Sequence, residues 1–145
     1  MIHHATFAIE REFSAPVEKV FSAFSDPEKK KAWFVGPEGE DEQTMDFRIG
    51  GTETSRGRLN GIIHEFKALY YDIIPNERII FAYDMFVNNM HFSVSLTSVE
   101  FDTVADKTKL TFTEQDMFLS EEDTVEGRKK GTEDLIDQLQ KFVEN

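Results

Sequence analysis

Residues 120–145, which read SEEDTVEGRKKGTEDLIDQLQKFVEN, give the strongest indication of the fold. Their apolar side chains recur at the spacing of one helix face, and Gly131 extends that face by one turn toward the N-terminus. A glycine inside a helix costs about 1 kcal/mol relative to alanine, so Gly131 indicates either close approach of another surface or open space beside the helix. The stretch predicts one long amphipathic helix over residues 120–145, whose apolar face consists of Leu135, Ile136, Leu139, Phe142 and Val143.

The sequence that precedes this helix alternates between apolar and polar side chains, with the period of two that is typical of β-strands. Turn signals such as Asn60-Gly61 and Asn88-Asn89 separate the strands, and these short connections favour antiparallel pairing. The acidic residues 38–42 are predicted to form a solvated loop. Predicted strands cover about residues 6–13, 45–49, 52–59, 62–73, 78–85, 91–101 and 109–115.

Two short helices are predicted between the first and second strands. The first begins near Pro16, which suits an initial helical turn, and the second begins at Pro27 behind the capping residue Asp26 and ends near Trp33. The resulting order β-α-α-β-β-β-β-β-β-α is that of an α+β protein in which a seven-stranded antiparallel sheet precedes a long helix. At 145 residues, the whole chain (1–145) fits one domain.

The amino-acid composition disfavours or excludes several classes of function. The 28 acidic and 16 basic residues give a net charge of −12, which disfavours binding to nucleic acid or to an anionic membrane surface. The chain has no cysteine, so disulfides, thiolate catalysis and thiolate metal sites are excluded. No apolar run has the length of a signal peptide or of a transmembrane helix, and we expect a cytoplasmic protein. The chain has 14 phenylalanines, 3 tyrosines and 1 tryptophan, and so many aromatic side chains must either fill a large hydrophobic core or line a pocket.

Strand alternation assigns one set of side chains to the inner face of the predicted sheet. Two of them, His64 and Glu114, are ionisable, and an ionisable group on an apolar face is either hydrogen-bonded or chemically active. Three interpretations of these two residues and Tyr83 stay open: pairing for stability, which is the usual arrangement, orientation of a ligand, or acid–base catalysis. The predicted inner-face set is Phe47, His64, Phe66, Phe81, Tyr83, Val94, Leu96, Phe112 and Glu114.

No metal or cofactor motif is found in the sequence. The 4 histidines do not have the spacing of metal ligands. Gly50-Gly51 lies between strands and does not open a helix, as a phosphate-binding loop would. Trp33 is either a core residue or part of a cavity mouth. We therefore expect neither a metal nor a cofactor.

Short motifs, taken in order, resemble the START/Bet v 1-like (SRPBCC) superfamily, and within it the subfamily related to activators of the ninety-kilodalton heat shock chaperone ATPase. Residues 13–21 (FSAPVEKVF) are similar to the family's entry from a strand into a helix, and residues 46–51 (DFRIGG) to the subfamily's second strand and turn. Residues 110–115 (LTFTEQ) are similar to its last strand. The same subfamily is similar to this sequence at further positions, which are Asp26-Pro27, Trp33-Phe34, Gly36-Pro37, and Gly131 with Leu135 and Leu139.

The resemblance implies a helix-grip fold, with a cavity between the concave face of the sheet and the C-terminal helix. Relatives hold apolar ligands in that cavity, so the resemblance implies binding of a small apolar or aromatic ligand without catalysis. Thr132 departs from the subfamily, in which an aromatic residue often follows the helix glycine. The ligand-binding residues expected from the pattern and the resemblance are Trp33, Phe47, His64, Phe66, Phe81, Tyr83, Phe112, Glu114, Gly131 and Leu135.

Two alternative functions stay open. A polyketide cyclase-like or hydrolase-like enzyme would use His64, Tyr83 and Glu114 in the same cavity. A chaperone-interacting module would use the outer face of the sheet. Chaperone-activating relatives carry an additional N-terminal domain that this sequence does not contain, so a chaperone partner is not expected. The sequence leaves a homodimer open.

Overall fold

Seven antiparallel strands form one sheet, and three helices cover one of its faces. The computed structural model describes residues 1–40 and 42–145 with their side chains and residue 41 by its backbone. The elements are β1 (His3–Phe13), α1 (Val17–Ser25), α2 (Pro27–Trp33), β2 (Glu40–Met45), β3 (Thr52–Leu59), β4 (Ile62–Ile74), β5 (Arg78–Val87), β6 (Met90–Val104), β7 (Lys107–Phe118) and α3 (Val125–Glu144).

The strands lie in the order β1-β7-β6-β5-β4-β3-β2. Strands β2 to β7 are therefore a meander, and β1 pairs with the last strand of that meander. The β3–β4 and β5–β6 hairpins turn on Asn60-Gly61 and Asn88-Asn89, in which all four residues have positive φ between 49° and 79°. Glycine and asparagine tolerate this conformation, which matches the twist of the paired strands. The predicted α+β helix-grip architecture is confirmed.

The C-terminal helix begins later than predicted, at Val125 instead of residue 120. The hydroxyl of Thr124 accepts the backbone N–H of Gly127 at 3.1 Å and caps the helix. The hydroxyl of Ser120 accepts the N–H of Glu122 at 3.1 Å. Such local bonds give the backbone an alternative to the helix, so residues 120–124 form a turn before α3.

The second strand also differs from the prediction, which placed it at about residues 45–49. β2 covers Glu40–Met45, part of which was predicted to be a loop, and it ends before Phe47. The carboxylate of Glu42 lies 3.8 Å from Arg56 on the neighbouring β3, so an edge strand can carry this charge. Phe47 lies in the turn between β2 and β3, and its ring still packs inward against Phe21 and Tyr70.

The first part of the inner face of β6 is polar, contrary to the prediction for Val94 and Leu96. Leu96 is 45% exposed and faces outward, whereas Ser93, Ser95 and Thr97 are buried under the helices. The prediction placed the apolar side chains of β6 inward. It was wrong because buried polar partners on β7 and α3, described below, satisfy the inward hydroxyl groups.

We predict that a leucine-to-alanine change on β7 and one on β6 will have very different effects on stability. Leu110 of β7 is fully buried, so Leu110→Ala should lower the free energy of unfolding by about 2–5 kcal/mol. Leu96→Ala, on the outer face of β6, should change it by less than about 0.5–1 kcal/mol. Urea denaturation of both variants measures the difference. A comparable loss for Leu96→Ala would contradict the assignment of faces.

Candidate functional site

Aromatic rings line the middle of the inner face of the sheet. The rings of Phe66 and Tyr83, on β4 and β5, lie 4.9 Å apart between centroids, and Phe66 and Phe81 lie 6.4 Å apart. Phe34, directly after α2, approaches Phe66 edge-on at 5.1 Å. Phe34, Phe66 and Phe81 are only half-buried, although they lie on the face that the helices cover. The backbone of α3 approaches β1, α1 and α2 most closely, so the helix lies to one side of these rings.

A row of polar side chains on β6 and β7 lies beside the aromatic rings. Glu114 is 0% exposed and accepts hydrogen bonds from the Tyr83 hydroxyl, at 2.8 and 2.9 Å, and from Thr97 at 3.1 Å. Asp116 is 3% exposed, and its Oδ1 accepts a hydrogen bond from Ser95 at 2.5 Å. Asp116 Oδ2 is buried without a hydrogen-bond partner among the described residues.

Arg128 joins this polar row to α3. Its Nη1 donates to the hydroxyl of Tyr83 at 3.0 Å, and its Nη2 donates to Ser93 at 2.8 Å. The same guanidinium lies 2.5 Å from Asp123 and 3.6 Å from both Glu114 and Asp116. Its side chain is 13% exposed. One buried cation therefore contacts three carboxyl groups, and such a cluster is stable only when the surplus negative charge is reduced.

Protonation of Glu114 reduces that surplus. Burial and the neighbouring Asp116 carboxyl raise the pKa of Glu114 to about 8, although Arg128 and the Tyr83 hydroxyl oppose the rise. At neutral pH the side chain is then mostly the neutral acid, whose O–H can donate to Asp116. A proton shared in this way would give a partner to the buried Asp116 Oδ2, which has none among the described residues.

A second buried ion pair lies beneath α2. Lys30 Nζ donates to Glu53 of β3 at 3.0 Å, and the hydroxyl of Tyr70 donates to the same carboxylate oxygen. The ammonium group also lies over the ring of Phe34, 4.6 Å from its centroid. Lys30 and Glu53 are both buried. This cluster ties α2, and the aromatic residue that follows it, to the sheet.

Comparison with known proteins identifies the family. The model of the activator of Hsp90 ATPase homolog 1-like protein family matches residues 14–144. The chain belongs to this family. The match includes every element that carries the aromatic and polar residues described above. The START-like resemblance that the motifs indicated is thereby confirmed.

Solved structures of two bacterial relatives are similar over almost the whole chain. An uncharacterized protein from Rhizobium leguminosarum is 41% identical, with a TM-score of 0.95 over 99% of this chain and 97% of that one. A protein from Rhizobium loti is 38% identical, with a TM-score of 0.91 over 98% and 99%. A third, from Chromobacterium violaceum, is 23% identical with a TM-score of 0.81 over 97% of each chain, and it shows the fold alone. No curated protein matches the chain.

Other predicted site residues lie at the edges of the aromatic face. Trp33 is 4% exposed and belongs to the core, where its indole Nε1 donates to the carbonyl of Ala23 at 2.8 Å. His64 lies on the same face as Phe66, in register with Gly57 of β3. Within the described part of the chain, His64 makes no hydrogen bond to Glu114. Of the arrangements left open for Glu114, the structure shows hydrogen bonds to Tyr83 and Thr97.

The remaining predicted residues frame the face on β7 and α3. Phe112 stacks on Phe7 of β1, with the ring centroids 6.2 Å apart, and is half-buried. Leu135 is half-buried against the core. Gly131 is exposed, and no described atom of a neighbouring residue lies within 4 Å of the position that a Cβ would occupy. Close packing therefore does not explain Gly131, because the position that its Cβ would occupy is open.

Arg128 and Asp116 are site residues that our sequence reasoning missed. Arg128 precedes Thr132, Leu135 and Ile136 by four, seven and eight positions, so it shares a helix face with them. A cation in that position on an apolar stripe indicates a buried acidic partner. Asp116 lies two residues after Glu114, on the same face of the strand. These two spacings are the features of the sequence from which both residues could have been identified as site residues.

Two depressions lie outside the aromatic face. A groove of about 630 Å³ crosses the outer face of the sheet, where Leu96, Met117 and Gln115 line it. A smaller one of about 260 Å³ lies near the start of α3, between His3 and Thr124. In the described residues, no group of three His, Asp or Glu side chains is arranged to hold a metal ion. None of the described helices is long and apolar enough to cross a membrane.

We predict that Glu114 makes the stability of the protein depend on pH. Its pKa is about 8 in the folded state and near 4.5 in the unfolded chain, so between these values the folded protein holds a proton that the unfolded chain has released. The free energy of unfolding should therefore fall as pH rises through this window. Glu114→Gln removes the titration, so its stability relative to wild type should rise by a few kcal/mol from about pH 5 to about pH 8.

Urea denaturation at several pH values measures this difference. The exposed residue Glu126 provides the control, since Glu126→Gln removes one carboxylate from the first turn of α3 without touching the polar row. If the stability difference between wild type and Glu114→Gln stays constant across the window, the shared proton is contradicted.

Proposed function

We propose that the protein binds a small, uncharged, apolar or aromatic ligand between the inner face of the sheet and the first half of α3. The observation that carries this proposal is the partial exposure of Phe66 and Phe81 on the inner face of the sheet, to one side of α3, together with the open space beside Gly131. Aromatic side chains on a face that helices cover are normally buried completely, so rings that remain accessible there indicate space for a ligand. The family supports this role, because SRPBCC-like folds typically hold ligands in a cavity at this place.

The charges around the rings favour an uncharged ligand. Lys30 and Arg128 both lie close to aromatic rings of the inner face, over Phe34 and over Tyr83. Each is already paired with carboxylates, so neither is available to neutralise an anionic ligand. Burying an unpaired carboxylate of a ligand next to Glu114 would be costly.

The geometry does not favour the alternative of acid–base catalysis. Glu114 and Tyr83 are hydrogen-bonded to each other, and Glu114 is 0% exposed. A general acid must lie within hydrogen-bonding reach of the proton acceptor on its substrate. These two residues instead satisfy each other and anchor Arg128, which is the role of a structural network.

We predict that an uncharged fluorescent dye, N-phenyl-1-naphthylamine, binds the protein at about one molecule per chain and gains fluorescence. Gly131→Phe places a ring in the open space beside the helix and should weaken binding by at least about tenfold. Fluorescence titration measures both affinities.

Gly131→Ala is the matched control for that experiment. Its Cβ meets no neighbour, so the substitution should stabilise α3 by about 0.5–1 kcal/mol and leave dye affinity unchanged to within about twofold. Wild-type dye affinity in a correctly folded Gly131→Phe variant would show that the ligand does not bind beside α3.

A further inference from the structure

One side of α3 faces α2 and the residues that follow it. Gln138 Nε2 donates to the carbonyls of Trp33 and Val35, at 2.6 and 3.1 Å. Gly131 precedes Gln138 by seven residues, or about two helical turns, and therefore lies on the same side, roughly 10 Å nearer the start of the helix. The open position beside Gly131 therefore lies on the side of α3 that faces the chain around Phe34.

Phe34 lies in the part of the chain that this side of α3 faces, between the two residues whose carbonyls Gln138 contacts. It follows directly after α2, its ring is half-buried, and it meets the half-buried ring of Phe66 edge-on. Gln43 of β2 donates its amide N–H to the carbonyl of Phe34 at 2.8 Å, which fixes the backbone at this point. The backbone does not fix the orientation of the Phe34 ring, which depends on the groups that contact the two faces of the ring.

A buried ammonium group holds one face of that ring. Lys30 Nζ lies 4.6 Å from the centroid of Phe34 and 5.6 Å from that of Trp33. Glu53 on β3 fixes this ammonium with a hydrogen bond of 3.0 Å. A desolvated cation over an aromatic face binds that face more strongly than an exposed pair of the same kind does. The ring is therefore anchored to the sheet through Lys30 as well as through its own backbone.

We propose that Phe34 is the size filter at the mouth of the ligand space, and that the Lys30–Glu53 ion pair sets its position. This inference rests on the ligand-binding function proposed above and adds what determines its specificity. The ring limits how wide a planar ligand can be when it enters between Gly131 and Phe66. Lys30 acts through Phe34 and is a positioning residue.

The test compares naphthalene with the wider hydrocarbon pyrene, both followed by their own fluorescence. Phe34→Ala should raise the affinity for pyrene relative to naphthalene by at least about tenfold, the discrimination that apolar pockets achieve for small differences in size. Phe142→Ala is the matched control: it removes a half-buried ring of α3 that lies eleven residues beyond Gly131, and it should leave the ratio unchanged.

The role of Lys30 is tested with the double variant Lys30→Met/Glu53→Gln, which removes both charges and keeps an oxygen that accepts the Tyr70 hydroxyl. The affinity ratio should shift in the same direction as in Phe34→Ala. Adding Phe34→Ala to the double variant should raise the ratio no further than Phe34→Ala does alone. Circular dichroism confirms that each variant is folded.

The outcomes separate the two proposals. If the wild-type protein binds neither hydrocarbon, both the proposed ligand-binding function and the proposed role of Phe34 as a size filter are contradicted. If wild type binds naphthalene and Phe34→Ala leaves the ratio unchanged, the filter is wrong and ligand binding stands. If Phe34→Ala changes the ratio and the Lys30–Glu53 variant does not, the ion pair does not position the ring.

Discussion

The guanidinium of Arg128 is the buried charge on which the placement of α3 depends. It bonds to Ser93 and Tyr83 of the sheet and lies against Glu114, Asp116 and Asp123. Without this cation the negative charge on the buried carboxyl groups of Glu114 and Asp116 would have no counter-charge, which costs several kcal/mol. Without these polar partners, an arginine under the helix would be equally unfavourable. Each side of the interface therefore requires the other, and the bonds of Arg128 hold the start of α3 to β5 and β6.

The two halves of α3 meet the rest of the protein through different interactions. The second half packs Ile136, Leu139 and Val143 into the core, as an amphipathic helix does in most small proteins. The first half is held by the hydrogen bonds of Arg128 and leaves space beside Gly131. Polar anchoring keeps a helix in place without filling the volume next to it. The ligand space that we propose follows from this difference between the two halves.

Much of the fold could be predicted from the sequence, because hydrophobic period and turn chemistry are local properties. Asn60-Gly61 marked a hairpin that the structure contains, and Pro27 marked the start of α2. The inner face of β6 could not be predicted in the same way. Its serine and threonine side chains are buried because Glu114, Asp116 and Arg128 satisfy them, and those residues lie on other elements. A pattern within one strand carries no information about such partners.

The position of a bound ligand distinguishes the inner face of the sheet from the outer one. Isotope-filtered NOE spectra of protein labelled in its methyl groups and phenylalanine rings, with N-phenyl-1-naphthylamine bound, report which side chains the dye touches. We expect contacts to Leu135 of α3 and to the ring of Phe66 on the inner face of the sheet. Contacts to Leu96 and Met117 instead, which line the groove on the outer face, would contradict this expectation.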